Sequence, residues 1–316
     1  MKKLIFIFIM GLFCVELYSQ QDPLFSQYMF NKLALNPGYA GSREAISGDI
    51  IYRNQWVGIS GAPKTFSLSV HSPLRNEHLA VGITAYNDRL GAEISNTGVL
   101  GTLAYRVIFP ESKLSFGLQG GFKYSNIDWS LINAKDPYDL LANPEKQKLV
   151  PDVNFGIYYY STHFYAGFAS KHLLQNQTVV IKDAKGENEI TKLFAHFYFM
   201  GGYVMRINDD LYFRPSGFVK FVKNAPAQMD LNASFLIADR FWLGTSYRTS
   251  LGKMSYENQN ALSFLTEINI TNNWRIGYSY DIWLNELKSF NKGSHEIRIG
   301  FDFDIIQTIM RNPRFF

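Results

Sequence analysis

Few side chains in this sequence have the type and spacing that catalysis or metal binding requires. No two histidines lie four residues apart, and neither an HExxH motif nor a Gly-x-Ser-x-Gly nucleophile elbow is present. Residues 61–65 resemble a phosphate-binding loop only superficially, because Gly61 is too close to Lys64 and Pro63 lacks a backbone N–H. We therefore expect no enzyme activity, no metal and no cofactor. A catalytic site assembled from distant serine, histidine and aspartate residues is the alternative.

A second group with chemical potential consists of charged residues on the polar side of segments that alternate in polarity. Its members are Lys123, Arg248, Glu267, Arg275, Arg298 and Asp302. If these segments form the wall of a barrel, the six side chains point into the enclosed space, the lumen. Both signs of charge are present, so the group can brace the wall by ion pairs or line a pore. We prefer the bracing interpretation.

The first nineteen residues, 1–19, have the pattern of a secretory signal peptide. Lys2 and Lys3 precede an apolar run that is too short for a membrane-spanning helix, and Ser19 is a small residue at the expected cleavage site. Removal of this segment also removes Cys14, the one cysteine, which excludes disulfides and thiolate chemistry. Lipidation of Cys14 is the alternative, but the bulky Phe13 precedes it.

The composition favours a protein whose surface largely faces lipid. Aromatic residues make up 16% of the chain and charged residues 18%, below the usual charged share of about 25%. After the signal, no stretch reaches about 18 uncharged apolar residues, which excludes a helical membrane protein. The net charge of +4 is spread over both signs without a basic stripe, so no nucleic-acid partner is expected.

Alternation of apolar and polar residues predicts the fold. In residues 114–124, for example, Leu118 and Phe122 share one face of a strand, while Gln119 and Lys123 share the other. We count fourteen such segments, centred near residues 50, 68, 83, 101, 118, 156, 168, 199, 217, 232, 245, 265, 278 and 300. They predict an all-β protein, a transmembrane antiparallel up-and-down β-barrel over 46–305. Counts of twelve or sixteen strands remain open, because the eighth and ninth segments are irregular.

A soluble propeller or solenoid is the competing fold. The sequence has no repeat of fixed period, which argues against both. Four aromatic residues also lie near the ends of segments, where a membrane barrel places its interfacial girdles. They are Tyr212, Trp242, Trp274 and Trp283.

The predicted connections differ in length on the two sides of the barrel. Those at 73–77, 108–111, 161–162, 207–210, 238–239 and 271–273 are short, whereas six of the other seven are longer: 55–63, 88–93, 125–151, 173–192, 251–258 and 284–293, with 224–225 as the exception. Outer-membrane barrels have short periplasmic turns and longer outer loops. This pattern predicts that both ends of the barrel chain lie in the periplasm, with 306–316 as a periplasmic tail.

A series of motifs resembles the PorP/SprF family of type IX secretion system membrane proteins of Bacteroidetes. The motifs are QDPLFSQYMFN at 21–31, NPGYAGS at 36–42, YRNQWVG at 52–58, GAPKT at 61–65, SVHSPL at 69–74, NDRLG at 87–91 and NPRFF at 312–316. The resemblance extends from the signal to the last residue. It implies an outer-membrane barrel that serves protein secretion, in some members together with gliding motility. It also implies two partners, a secreted adhesin-like protein with a C-terminal sorting domain and a periplasmic ring or peptidoglycan-associated component.

Candidate partner-binding or plug residues lie in three regions. The segment 20–45 is too polar and too rich in proline for the wall, so we place it at the periplasmic mouth or in the lumen, as a plug or as a docking element. The first predicted outer loop and the loop 125–151 are the other two regions. The candidates are Asp22, Pro23, Phe25, Ser26, Gln27, Tyr28, Asn36, Pro37, Gln55, Trp56, Pro63, Trp129 and Tyr138.

The sequence thus predicts a non-enzymatic outer-membrane component of the type IX secretion system that assists export or surface attachment of a secreted protein. Outer-membrane lipid surrounds such a barrel. The alternative function is a passive or gated diffusion channel for small solutes.

Overall fold

The computed structural model describes residues 22–23, 25–91, 94–128, 147–183, 186–223, 225–251 and 260–304. The predicted signal peptide and the predicted C-terminal tail lie outside these residues, as do Trp129 and Tyr138.

Within the described ranges, strands form nearly all of the regular structure. The first seven are β1 (Ile46–Asn54), β2 (Lys64–Pro73), β3 (Leu79–Leu90), β4 (Ile94–Ile108), β5 (Ser112–Ile127), β6 (Gln147–Ser161) and β7 (Phe164–Lys171). The others are β8 (Gln177–Asp183), β9 (Gly186–Lys192), β10 (His196–Tyr203), β11 (Met205–Asn208), β12 (Leu211–Val222), β13 (Ala227–Ile237), β14 (Phe241–Leu251), β15 (Ala261–Asn269), β16 (Trp274–Trp283) and β17 (Ser294–Phe303). Two short 3-10 helices, Pro37–Tyr39 and Glu286–Ser289, complete the elements.

Fourteen of the strands close into one antiparallel barrel. Each strand pairs with its neighbours in chain order, with β10 between β7 and β12, and β11 continues the edge of β10 along β12. The last strand closes on the first, with Ile46 opposite Phe303 and Asn54 opposite His295. Strands β8 and β9 form a separate hairpin. The predicted fold class, strand count and strand positions are confirmed.

Three of the longer predicted connections differ in the structure. Strands β3 and β4 pair from Leu90 and Ile94 onward, so the connection between them is shorter than 88–93. Strand β5 continues to Ile127 and β6 begins at Gln147, which shortens the connection predicted at 125–151. The loop predicted at 173–192 contains the β8–β9 hairpin. Backbone pairing continues where side-chain alternation has weakened, because the ladder needs only N–H and C=O groups.

The irregular ninth segment is explained by a break in the ladder. Strand β10 pairs with β12 only as far as Ser216, and β11 resumes the pairing at Phe213. Pro215 lies between these two pairings, where its missing N–H removes no hydrogen bond to β10 or β11. Proline in a strand is tolerated at such interruptions.

The two faces of the wall meet different surroundings. On β5, Leu118 and Phe122 are 57% and 56% exposed on the outside, while Gln119 and Lys123 are buried inside. Every barrel strand carries at least one exposed large apolar side chain, such as Phe66 on β2, Leu149 on β6 and Phe164 on β7. An outer band of this kind is stable only against lipid. Among the described residues, there is no helix with the length and apolar character of a membrane span.

Three of the four predicted girdle aromatics point into the barrel. Trp242 and Trp283 are buried inside it and Tyr212 packs against the buried core, whereas Trp274 is exposed on the outside. Position along the strand had suggested a girdle, but Trp242 has the same parity as Ser246 and Arg248, which face the lumen. In a strand the parity decides the face.

The lipid-facing assignment is tested by adding one negative charge at an outward position of β5 and one at an inward position of β13. We expect Leu118→Asp to destabilise the barrel by about 2 kcal/mol, because it places a carboxylate in hydrocarbon. Ser234→Asp adds its charge inside the lumen, directly opposite Arg214 in the strand ladder, and should cost less because the guanidinium group compensates it. Urea unfolding in lipid vesicles measures the free energy of unfolding of both variants. The folded fraction is read from the heat-modifiable band of unheated samples on a gel. Equal destabilisation by the two variants would contradict the assignment.

Candidate functional site in the barrel lumen

The chain before β1 occupies the inside of the barrel. We call residues 22–45 the lumen segment; all of them except Leu24 are described, and most are buried. Its apolar side chains, including Tyr28, Phe30 and Tyr39, form one buried cluster with inward residues of the wall such as Tyr158 and Phe218. This packing explains why the inward face of the eighth segment is apolar: Tyr198 of β10 contacts Phe218, which in turn contacts Tyr28.

The lumen segment runs from one mouth of the barrel to the other. We call the mouth with the connections 55–63, 172–195 and 284–293 the long-connection mouth, and the opposite one the short-connection mouth. Asp22 contacts Lys171 and His172, where β7 ends at the long-connection mouth. Glu44 accepts a hydrogen bond from Lys113, near the start of β5 at the short-connection mouth.

The wall itself begins and ends at one mouth, because Ile46 of β1 pairs with Phe303 of β17, but the lumen segment before it starts at the opposite mouth. Asp22 is at the long-connection mouth, whereas β17 ends at Phe303 at the short-connection mouth. The connection lengths report only on the strands of the wall. A segment that crosses the lumen reverses the side on which the chain starts, and strand alternation carries no signal for it.

Asp22 is the first anchor of the lumen segment. Its carboxylate accepts hydrogen bonds from Lys171 Nζ at 2.9 Å and Tyr198 Oη at 2.9 Å, and its other oxygen lies 2.8 Å from His172 Nε2. The second ring nitrogen of His172 lies 2.9 Å from Asp152. Burial alone would raise the pKa of Asp22, but Lys171 and His172 hold it well below its usual value.

A second anchor joins the segment to three strands. Glu296 accepts the backbone N–H groups of Ser26 and Gln27, both at 2.9 Å. Arg53 donates to Glu296 at 3.0 Å and to Asp281 at 2.7 Å. Ser26 completes the group, because its hydroxyl donates to Asp281 at 2.7 Å and accepts from Arg53 at 2.7 Å. These charges are fully buried; one guanidinium group lies between two carboxylates, and the Ser26 hydroxyl and the backbone N–H groups of the segment stabilise the remaining negative charge.

The middle of the segment lies against glycines of the wall. The Asn36 side chain donates to the carbonyls of Ile157 at 2.9 Å and Phe168 at 3.2 Å, and its oxygen accepts Gly38 N–H at 2.8 Å. A Cβ at Gly117 would lie 2.2 Å from the Pro37 carbonyl carbon, and one at Gly156 would lie 2.0 Å from the Asn36 oxygen. Glycine at these inward positions leaves room for the backbone of the lumen segment to pack against the wall.

A third anchor closes the segment at the short-connection mouth. Arg43 donates to Asp302 from Nε at 3.0 Å and from Nη2 at 2.9 Å, and Arg275 also donates to Asp302. Arg298 donates to Glu267 and Asp49. Arg106 donates to the Gly41 carbonyl at 2.8 Å. Ionised hydrogen bonds of this kind are among the stronger ones in proteins.

One lysine of the segment is held by aromatic rings. Lys32 is buried, donates to the Met29 carbonyl at 2.6 Å, and lies 4.7 Å from the ring centre of Tyr165 and 5.2 Å from that of Tyr39.

The structure places all six predicted lumen charges inside the barrel. Five of them form ion pairs: Arg275, Arg298, Glu267 and Asp302 at the third anchor, and Arg248 with Asp230. Lys123 is buried near Asp22 and Asp152. These contacts support the bracing interpretation over a pore lining.

The predicted partner-binding residues divide into two groups. Asp22, Ser26, Gln27, Tyr28, Asn36, Pro37 and Gln55 are buried inside the barrel, and Pro23 and Phe25 lie half-buried in the same segment. Trp56 and Pro63 are half-buried at the long-connection mouth, where Trp56 packs on Trp283 with ring centres 5.5 Å apart. Most of the candidates therefore contact other residues of the same chain.

Several important residues were not singled out from the sequence. Asp49, Arg53, Asp281 and Glu296 have inward parity on strands, so the alternation contained a signal for them. Arg43 lies in the lumen segment, where no periodicity applies. Within the described ranges, no group of three or more His, Cys, Asp or Glu side chains could hold a metal ion. His71, for example, accepts the Gly41 N–H at 3.0 Å.

A closed antiparallel barrel with an apolar outer band defines this chain as an outer-membrane β-barrel protein. The family model described as type IX secretion system membrane protein PorP/SprF matches residues 17–301. The chain belongs to this family. A comparison with curated proteins finds no match.

Solved structures share the fold at low sequence identity. The CymD monoaromatic hydrocarbon channel is 12% identical with a TM-score of 0.53, covering 90% of this chain and 95% of that one. The Ralstonia pickettii toluene transporter TbuX is 9% identical with a TM-score of 0.52, covering 86% and 93%. A deltaS2S3 mutant of the TodX monoaromatic hydrocarbon channel is 8% identical with a TM-score of 0.52, covering 85% and 92%. At these identities the likeness concerns the fold alone.

The Asp22 anchor predicts an acid-dependent loss of stability. The pKa of Asp22 in the folded protein lies below its usual value of 3.8. The ionised carboxylate therefore contributes its full stabilisation above about pH 4, and this stabilisation is lost as the pH falls toward the pKa of the folded protein. At neutral pH we expect Asp22→Asn to lower the free energy of unfolding by roughly 3 kcal/mol, so that the variant unfolds at a lower urea concentration than the wild type. The difference should shrink as the pH is lowered to about 3.

Asp209→Asn is the matched control, because Asp209 is 93% exposed and pairs with Arg206 on the surface. It should leave the pH dependence of urea unfolding unchanged. A constant difference between Asp22→Asn and the wild type at all pH values would refute the charged anchor.

Proposed function

We propose that this protein serves type IX secretion by binding: it holds or guides a secreted protein at the cell surface and catalyses no reaction. The lumen segment is the observation that carries this proposal. It occupies the lumen from one mouth to the other, and its three anchors take up most of the inward charges. A diffusion channel needs an aqueous path, and an enzyme needs polar groups that are available to a substrate.

The surface for the secreted protein is the rim of the long-connection mouth. Here the connections 55–63 and 284–293 pair with each other, since Val57 N–H donates to the Gly293 carbonyl at 2.8 Å and Lys292 N–H to the Val57 carbonyl at 2.6 Å. Phe290 is 71% exposed and Leu284 is 48% exposed on this rim. Exposed aromatic and apolar residues on an ordered loop are typical of a protein-binding surface.

The partners follow from the family and from the orientation predicted for the connections. The long-connection mouth then faces the cell exterior, where an adhesin-like protein with a C-terminal sorting domain contacts the rim. The short-connection mouth faces the periplasmic ring or a peptidoglycan-associated component. The proposal includes a contribution to gliding motility where the attached adhesin serves it.

The rim is tested by removing its apolar side chains. Protease treatment of intact cells releases peptides from surface proteins, and mass spectrometry compares these peptides between cells with and without this gene. The secreted proteins that are lost from the surface without the gene are those that depend on the barrel. We expect the variant Leu284→Ser/Phe290→Ser to restore less than about a third of their surface level, because a few apolar anchors dominate such interfaces. Phe109→Ser is the control, since Phe109 is 46% exposed at the short-connection mouth. Full restoration by the rim variant would exclude this surface.

Planar lipid bilayers separate the proposal from the alternative of a diffusion channel. Because the lumen segment is anchored at both mouths and in between, we expect the purified full chain to show no steady conductance. A steady single-channel current in the intact wild-type protein would favour the channel instead. A variant lacking residues 25–40 serves as the positive control for an emptied lumen.

A further inference from the structure

A cavity of about 570 Å³ opens beside the third anchor at the short-connection mouth. Its floor is the lumen segment, through Met29, Phe30 and Arg43, and its walls are the ends of β12 to β17. The volume lies within the range of sites for small organic ligands, about 300–1,000 Å³. Neither the wall nor the lumen segment needs an opening of this size for its own packing.

The lining carries an excess of positive charge. Five arginines face the cavity, Arg43, Arg214, Arg240, Arg275 and Arg298, against the three carboxylates of Asp239, Glu267 and Asp302. These lining groups sum to a net charge of about +2, and Asp49, which accepts from Arg298 behind the lining, reduces the sum to about +1. The two buried carboxylates are already paired with arginines. Asp302 accepts from Arg43 and Arg275, and Glu267 accepts from Arg298. A bound anion reduces the repulsion among the arginines.

Aromatic rings orient the arginines. The guanidinium of Arg214 lies 4.0 Å from the ring centre of Trp242 and 4.7 Å from that of Phe30, and Arg298 lies 5.1 Å from the ring centre of Phe30. These cation–π contacts hold the guanidinium groups beside the cavity, and a guanidinium group recognises a carboxylate through its N–H donors. Such an arrangement is suited to a planar carboxylate, and the rings of Trp242 and Tyr212 add apolar surface beside it.

We propose that this cavity binds an organic carboxylate with an aromatic or apolar body that enters from the short-connection mouth. The carboxylate meets the arginine side of the cavity, and the body packs against Trp242 and Tyr212. Asn269, Thr271 and Asn272 at the opening supply neutral polar groups for the rest of the ligand. The inference concerns the opposite mouth from the rim of the proposed function and stands independently of it.

The test uses the purified full chain in detergent and two probes of equal size. N-acetyl-L-phenylalanine carries the carboxylate, and N-acetyl-L-phenylalanine amide lacks the charge. Calorimetry should show binding of the acid and at least about tenfold weaker binding of the amide. The affinity of the acid should fall with added salt, as expected for an electrostatic site. Absence of binding by the acid, or equal affinity for both probes, overturns the proposal.

Two matched variants locate the site. Arg240 lines the cavity on an exposed turn, so Arg240→Gln should fold normally and weaken binding of the acid by about fivefold. Arg206→Gln removes the same charge at the same mouth from a residue that is 56% exposed and outside the cavity, and should leave the affinity unchanged. Trp242→Phe should reduce the quenching of tryptophan fluorescence by the acid. Equal affinities of the Arg240 and Arg206 variants would place the acid elsewhere.

Discussion

Closure of the strand ladder is the constraint on which the rest of this structure depends. Hydrocarbon offers no hydrogen-bond partners, so every backbone N–H and C=O of a lipid-facing strand needs a neighbouring strand. The pairing of β17 with β1 removes the last free edges of the wall. Once the wall is closed, alternate side chains face lipid or lumen, and the chemistry of each position follows from its parity.

The lumen then imposes a second constraint, because charges buried there need partners. Arg53, Asp281 and Glu296 form a compensated group only with the hydroxyl and backbone N–H groups of the lumen segment. At the short-connection mouth, Arg43 of the segment shares Asp302 with Arg275 of the wall. The wall and the segment therefore stabilise each other, and removal of either leaves buried charges without compensation.

This mutual dependence shapes how the protein can act in secretion. Inward polar groups are largely engaged in holding the lumen segment, so the surfaces that remain for other molecules lie at the two mouths. One is the apolar rim that includes Leu284 and Phe290, and the other is the arginine-lined cavity next to Arg43. Because the lumen segment reaches both mouths, an interaction at one end is physically connected to the other through a single stretch of chain.

The sequence by itself determined the wall. Period-two alternation placed all fourteen barrel strands and assigned residues such as Gln119 and Asp302 to the inner face, because a strand between lipid and lumen tolerates few exceptions. Only the tertiary structure decided the path of the lumen segment, the inward position of Trp242 and the grouping of Arg43 with Asp302. Residues 22–45 show no periodic alternation, and many of their contacts join positions more than 100 residues apart. Such contacts depend on how the barrel closes, which local patterns do not encode.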